Sequence, residues 1–220
     1  KYYLSDIFTK IIYWQLRRFH RGTSALMVST ASLKKTLEDN GFKNVVVSPY
    51  GVDTDLFSKI ESENGSKLKK PIFIYFGRLA KEKNVEEFFD CKLPGTKLVI
   101  GDGPLKKKMV KKHKDVVFIG YKTGKELVSW LSIADVFVFP SVTETFGLVV
   151  LEAMACGIPV AAHNVMGPKD IIENGVDGYL DENLEKAAIN CLNIPRENCI
   201  KKAKMFSWEK ATEIFIKNLV

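Results

Sequence analysis

Short runs of β-branched and aromatic residues alternate with amphipathic stretches along nearly the whole chain. The apolar runs predict strands at 25–29, 44–48, 71–76, 97–100, 116–119, 135–139 and 159–162. Patterns near the helical period predict helices at 32–40, 105–114, 124–133 and 148–155. Continuous apolar strands separated by helices imply a parallel sheet covered on both faces, an α/β, Rossmann-like architecture. The opening segment places Leu4, Ile7, Phe8, Ile11, Ile12, Leu16 and Phe19 close to an i, i+3, i+4 rule, with Arg17, Arg18 and Arg21 at its end. A helix packed on further protein fits that pattern, and so does a helix lying on a membrane surface.

Residues 58–70, SKIESENGSKLKK, are polar, aperiodic and rich in Gly, Ser and Lys, as a linker is. The two strands and two helices of 1–57 are too few to close a sheet, so this portion is expected to be the end of a domain that begins elsewhere. The five strands of 71–206 suffice for a complete α/β domain, and 207–220 form a last helix. The chain does not start with Met and reads as a fragment from its first residue.

Composition changes this picture little. Hydrophobic residues make up 46% and charged residues 27%, the range of ordinary globular domains. No apolar run is long enough to span a bilayer. Cys91, Cys156, Cys191 and Cys199 stand far apart with no CxxC pair, which predicts buried, reduced thiols in a cytoplasmic protein. Three histidines in no cluster argue against a His-built metal site. The net charge of +7 is partly local: Lys106, Lys107, Lys108, Lys111, Lys112 and Lys114 crowd together. Such a face suits solvent, an anionic membrane surface or an anionic small molecule. Aromatic residues are not interleaved with the lysines, which disfavours nucleic acid as a partner.

Three turns carry candidate chemistry. In 141–162, SVTETFGLVVLEAMACGIPVAA, a strand ends at Pro140 and a helix is expected to start near Phe146. Ligands of open α/β sheets bind beyond the carboxyl ends of the strands, where this turn lies. Thr145 is a candidate N-cap, and Gly147 allows a ligand to approach the first-turn N–H groups, which favour an anion. Glu144 and Glu152, eight residues apart, can accept hydrogen bonds from neighbouring hydroxyls or can merely cap and face solvent. In the second turn Gly77, Arg78 and Lys83 follow a strand; the two cations can converge on a diphosphate or stay exposed. The third, Gly101-Asp102-Gly103-Pro104, fails as a dinucleotide fingerprint because Lys106 occupies the third glycine position.

Taken as a set, GVDTDLF (51–57), FGRLAKEKN (76–84), GDGP (101–104), ADVFVFPS (134–141) and ETFGLVVLEAMACGIPV (144–160) resemble glycosyltransferase family 4, whose members are retaining enzymes of the two-domain GT-B fold. The resemblance covers about residues 23–220. It implies a donor domain that is mostly present, an acceptor domain that is mostly missing, and a last helix that crosses back to brace the latter. It implies further that Arg78 and Lys83 hold the diphosphate of a UDP- or GDP-sugar. Glu144 would then bind hydroxyls of the transferred sugar, the amides of Phe146, Gly147 and Leu148 would meet the sugar and phosphate oxygens, and Glu152 would hold the ribose hydroxyls. Gly77, Gly101, Gly103 and Thr145 complete the implied donor site, with Arg78, Lys83 and Glu144 as its catalytic members.

No metal or other cofactor is expected, the cations and the helix terminus taking that electrostatic role. The family's Gly-Gly loop is reduced here to Gly167 and Asp170 within HNVMGPKD, and this version looks most like a bacterial branch that uses mannosyl donors or glycosylates membrane lipids. The implied acceptor is a glycan or a membrane lipid, and the implied location is the cytoplasm or the inner face of the cell membrane. Two other readings share these motifs: a non-catalytic donor-binding subunit of a split enzyme, and a sugar-nucleotide epimerase of the same fold.

Overall fold

The computed structural model describes residues 2–219, with side chains described from Phe8 onward. Leu4 and Ile7, two of the apolar positions expected on the opening helix, are outside the described side chains.

Among the described residues eight strands form two parallel sheets. The smaller pairs β1 (Leu26–Val28) with β2 (Val45–Val47). The larger is built from β3 (Ile72–Phe76), β4 (Thr96–Ile100), β5 (Val117–Gly120), β6 (Val136–Phe139), β7 (Val160–Ala162) and β8 (Gly178–Leu180). Its order is β5-β4-β3-β6-β7-β8. Every residue of β3, β6 and β7 is buried, as strands covered on both faces require, and this explains why they read as unbroken apolar runs. Asp135 clamps the entry to the central pair: its carboxylate accepts from the Ile72 amide at 2.7 Å, from Lys70 Nζ at 3.0 Å and from Arg196 Nη2 at 3.2 Å.

Among the described residues there are ten α-helices. They are α1 (Tyr2–Phe19), α2 (Ala31–Asp39), α3 (Val85–Asp90), α4 (Lys106–Lys112), α5 (Gly124–Leu131), α6 (Leu148–Ala155), α7 (Pro168–Ile171), α8 (Leu184–Cys191), α9 (Arg196–Lys204) and α10 (Trp208–Lys217), of which α2 to α7 lie between strands. The large sheet has six strands where five were expected. Strand β8 escaped notice because only Gly178, Tyr179 and Leu180 form it, too few for a period-two pattern. Helices α3, α7, α8 and α9 were also missed; α9, RENCIKKAK, is polar on nearly every face except Cys199 and Ala203.

Residues 58–70 contain no helix or strand but lie against the end of α5. The Ile60 amide donates to Ser132 Oγ at 3.1 Å, and Asn64 Nδ2 donates to Ser129 Oγ at 2.8 Å. The N-terminal portion has its own small cluster of Val28, Phe42 and Val45, packed by Tyr13, Leu26, Leu33 and Leu37. It meets the larger unit through hydrogen bonds and ring contacts, three of which fix its position. The Ser32 amide donates to Asp170 Oδ1 at 2.8 Å, the Val52 amide donates to the Phe206 carbonyl at 2.8 Å, and the Tyr50 ring sits edge-on to Phe146. Helix α10, capped by the Ser207 hydroxyl, starts directly against Gly51.

All four cysteines are buried and unbridged, and burial pushes the Cys91 thiol up to about 11 and those of Cys156 and Cys199 up to about 12. The lysines of α4 are partly neutralised, Lys106 by Asp102 and Lys108 by Glu86, each at 2.6 Å. Among the described residues no helix is long and apolar enough to cross a membrane.

Candidate functional site

The order of the large sheet reverses direction between β3 and β6, and the crevice beyond the carboxyl ends of such a pair is where open α/β sheets take ligands. A cavity of about 570 Å³ opens there, lined by the turns after β3, β4 and β5 and by α6. Two of the four charged candidates, Arg78 and Glu152, line it together with Gly77, Gly101 and Gly103.

The turn after β3 is held by its neighbours. Tyr75 Oη donates to the Arg78 carbonyl at 2.8 Å, and burial drives this phenol far above its ordinary range. The Gly77 amide donates to the Ile100 carbonyl at 3.0 Å, and the Leu79 amide to the Asp102 carbonyl at 2.8 Å. The two turns approach so closely that a Cβ on Gly101, whose φ is +146°, would sit 2.0 Å from the Gly77 carbonyl oxygen. The glycines of GDGP therefore allow backbone to pass backbone, which accounts for the motif without a dinucleotide.

Glu152 projects from the second turn of α6 into the cavity. Desolvation raises its carboxyl above the usual range, and no hydrogen bond or ion pair to its side chain forms among the described residues. An unpaired, half-buried carboxylate at a cavity wall is open to donors from a ligand.

Lys83 and Glu144 are placed differently. They do not line the cavity but pair with each other beside it, Nζ to Oε2 at 2.7 Å, with the carboxylate only 16% exposed. Thr143 Oγ1 donates to the Glu82 carbonyl at 3.1 Å, tying the turn after β6 to the one after β3. Arg78 reaches outward and meets Glu82 at 3.4 Å, both side chains being largely exposed.

Thr145 is not the N-cap of α6. Gly147 takes that place with φ +95°, and the helix begins at Leu148 rather than near Phe146. Thr145 is instead drawn into the loop, its amide donating to Glu144 Oε1 at 3.1 Å. Phe146 is buried, stacking edge-on against Tyr50 and Phe206, so its ring anchors the loop. Within the turn into α6, the Val150 amide bonds back to the Gly147 carbonyl, while those of Leu148 and Val149 have no backbone acceptor among the described residues. Those two amides are positioned to receive an anion.

Sequence reasoning missed two contributors. Tyr121, Lys122 and Thr123, just after β5, line the cavity, and Tyr121 is 70% exposed. The signal was present, since an aromatic and a lysine follow Gly120 at a strand's carboxyl end. The second is a relay behind the site. His163 Nε2 lies 2.8 Å from Glu87 Oε2, the same oxygen accepts from Asn84 Nδ2 at 2.6 Å, and Asn84 Nδ2 also reaches the Pro140 carbonyl at 3.2 Å. Nothing in the sequence brings residues 84, 87, 140 and 163 together. Among the described residues no cluster of three His, Cys, Asp or Glu side chains is placed to hold a metal ion.

The six-stranded parallel sheet, its turn-built cavity and the N-terminal portion set against it are those of an α/β protein of the GT-B fold. The family model for glycosyl transferases group 1 matches residues 57–204, and the chain belongs to that family. It is 36% identical over 187 residues to the sulfoquinovosyl transferase SQD2 of Arabidopsis thaliana, covering 76% of this chain and 36% of that protein. It is 30% identical over 191 residues to a GDP-mannose-dependent alpha-mannosyltransferase of Corynebacterium glutamicum, covering 82% of this chain and 45% of that protein. The chain thus spans less than half the length of either relative. Among solved structures, Anabaena HepE in complex with UDP superposes with a TM-score of 0.84 at 20% identity, over 96% of this chain and 67% of that one.

Proposed function

We propose that this chain supplies the donor half of a retaining glycosyltransferase of family 4, which moves a sugar from a UDP- or GDP-sugar to a glycan or membrane-lipid acceptor at the cytoplasmic side. Glu152 carries this reading: a desolvated carboxylate without a protein partner, facing a cavity large enough for a nucleoside. Vicinal ribose hydroxyls are the donors such a group lacks, and each bond to it contributes about 1.5–3 kcal/mol. The exposed Tyr121 ring offers a stacking surface for the base on the other side of the same cavity.

From the ribose the diphosphate runs toward Arg78 and the free amides at the start of α6. As the bond between the anomeric carbon and the phosphate oxygen breaks, negative charge grows on the departing diphosphate. Arg78, and Lys83 once it turns from Glu144, lie where they can stabilise that charge without a metal ion. Glu144, released from Lys83, accepts from the hydroxyls of the sugar. Its place beside the helix mouth suits holding the sugar rather than attacking it, so the acceptor hydroxyl joins the anomeric carbon from the face the diphosphate leaves and passes its proton to the departing phosphate oxygen.

The names of the relatives support a nucleotide-sugar donor, one being described as GDP-mannose-dependent, and HepE was solved with UDP. Calorimetric titration of UDP- and GDP-sugars into the protein and into Glu152→Ala and Arg78→Ala tests the site. Weakening of about tenfold or more in both variants is expected. Unchanged affinity in both variants would remove the donor assignment.

A further inference from the structure

A second cavity of about 550 Å³ lies in the N-terminal portion, lined by Trp14, Arg17, Arg18, His20, Arg21 and Lys43 among others. Thr23 and Asn44, also in its wall, lead into β1 and β2. The residues leaving those strands, Ser29 and Tyr50, face the larger unit through Thr145 and Phe146. The second cavity is therefore at the opposite ends of the strands from the donor crevice, and the function proposed above does not use it.

Its charge is uncompensated. Arg17 Nη1 donates to the Asn40 carbonyl at 2.6 Å, which fixes the wall. Arg18, Arg21 and Lys43 form no ion pair among the described residues, whereas nearby Lys34 and Lys35 pair with Glu38 and Asp39. Three arginines and a lysine around one concavity, with no carboxylate in its wall, make an anion the physical complement. Guanidinium forks favour the flat, multiply accepting faces of phosphate, and the Trp14 ring supplies an apolar wall.

We infer that this cavity binds the phosphate group of a soluble phosphorylated small molecule. The geometry of α1 favours a solute over a bilayer. On α1, Trp14, Arg17 and Arg18 stand at three- and four-residue spacing and form one stripe, and Arg21 follows in the 3-10 turn His20–Gly22. The exposed Phe8, Ile11, Ile12, Leu16 and Phe19 form another. At 3.6 residues per turn the centres of the two stripes lie about 140° apart, so a flat membrane that takes the apolar stripe leaves Trp14 and Arg17 turned away from it.

The test follows the Trp14 indole N–H resonance during titration with pyrophosphate, the peak being assigned with Trp14→Phe. Saturable movement is expected, with apparent affinity falling about tenfold or more in Arg18→Gln/Arg21→Gln. That double variant leaves the donor cavity intact, so its response to a nucleotide sugar should stay unchanged and report a folded protein. Movement reproduced by sodium chloride at equal ionic strength, or retained in full by the double variant, overturns the inference. A parallel titration uses vesicles of phosphatidylglycerol in phosphatidylcholine. If vesicles perturb Trp14 and pyrophosphate does not, the soluble-ligand assignment fails.

Discussion

Lys83 Nζ stands 2.7 Å from Glu144 Oε2, so the cation expected on the diphosphate and the carboxylate expected on the sugar neutralise each other. The chain has brought together residues 61 positions apart by joining the turns after two adjacent parallel strands. The pair keeps a mostly buried carboxylate satisfied; under the proposed function, phosphate would take the place of Glu144 at Lys83, and sugar hydroxyls that of Lys83 at Glu144.

Replacing Lys83 by Ala should therefore act twice. It removes a cation from the departing diphosphate and leaves Glu144 without its counter-charge. A loss of about 1.5–3 kcal/mol, roughly 10- to 100-fold in kcat/KM, is expected in the complete enzyme. Lys83→Ala/Glu144→Gln should cost less than the sum of the two single changes, because the two side chains interact. Strict additivity in that double-mutant cycle would show that the ion pair has no role.

Glu152 makes a prediction of opposite sign for stability and binding. Its carboxyl holds a proton more tightly in the folded chain than in the unfolded one, because burial penalises the charge. The folded state then binds more protons than the unfolded state between the ordinary glutamate value near 4.5 and the raised one, so stability falls as pH rises through that window. Glu152→Gln should melt higher than the parent at neutral pH, about 2–4 °C for each kcal/mol recovered, and should lose this part of the pH dependence. The same variant should bind nucleotide sugar more weakly. Thermal melts from pH 4 to 8 with and without donor check both halves.

Gly101 should tolerate no side chain. Its Cβ would meet the Gly77 carbonyl oxygen at 2.0 Å, at a φ that L-residues rarely adopt. Gly101→Ala should destabilise the domain by about 2–4 kcal/mol and displace the turn that carries Arg78. Urea midpoints measure the first effect and donor titration the second.

His163 belongs to neither cavity, yet it should matter to the site. It supports Glu87, which supports Asn84, the residue after Lys83, and Asn84 holds a left-handed φ of +50°. His163→Ala should cost about 1–2 kcal/mol of stability and loosen the Lys83 turn. The fall in kcat should exceed the rise in KM if ground-state binding rests mainly on the cavity itself. His163→Gln, which can still donate to Glu87, should recover part of the loss.

The amino-acid sequence by itself determined the class of fold and where its ligand edge lies. Buried parallel strands such as IFIYF and VFVF must be apolar throughout, and turns such as FGR and GDGP must carry glycine where backbones cross, so these features are written locally. Elements stabilised by their surroundings were not legible: β8 is three residues long, and α9 owes its place to packing on α6. Only the tertiary structure decided that Arg78 and Glu152 share a cavity while Lys83 and Glu144 pair beside it. Only it could show that Gly147, not Thr145, caps α6, and that His163 reaches Asn84 through Glu87. The reason is physical. Periodicity reports which face of an element is buried, whereas a site depends on the order in which strands lie side by side, and that order is set by long-range packing.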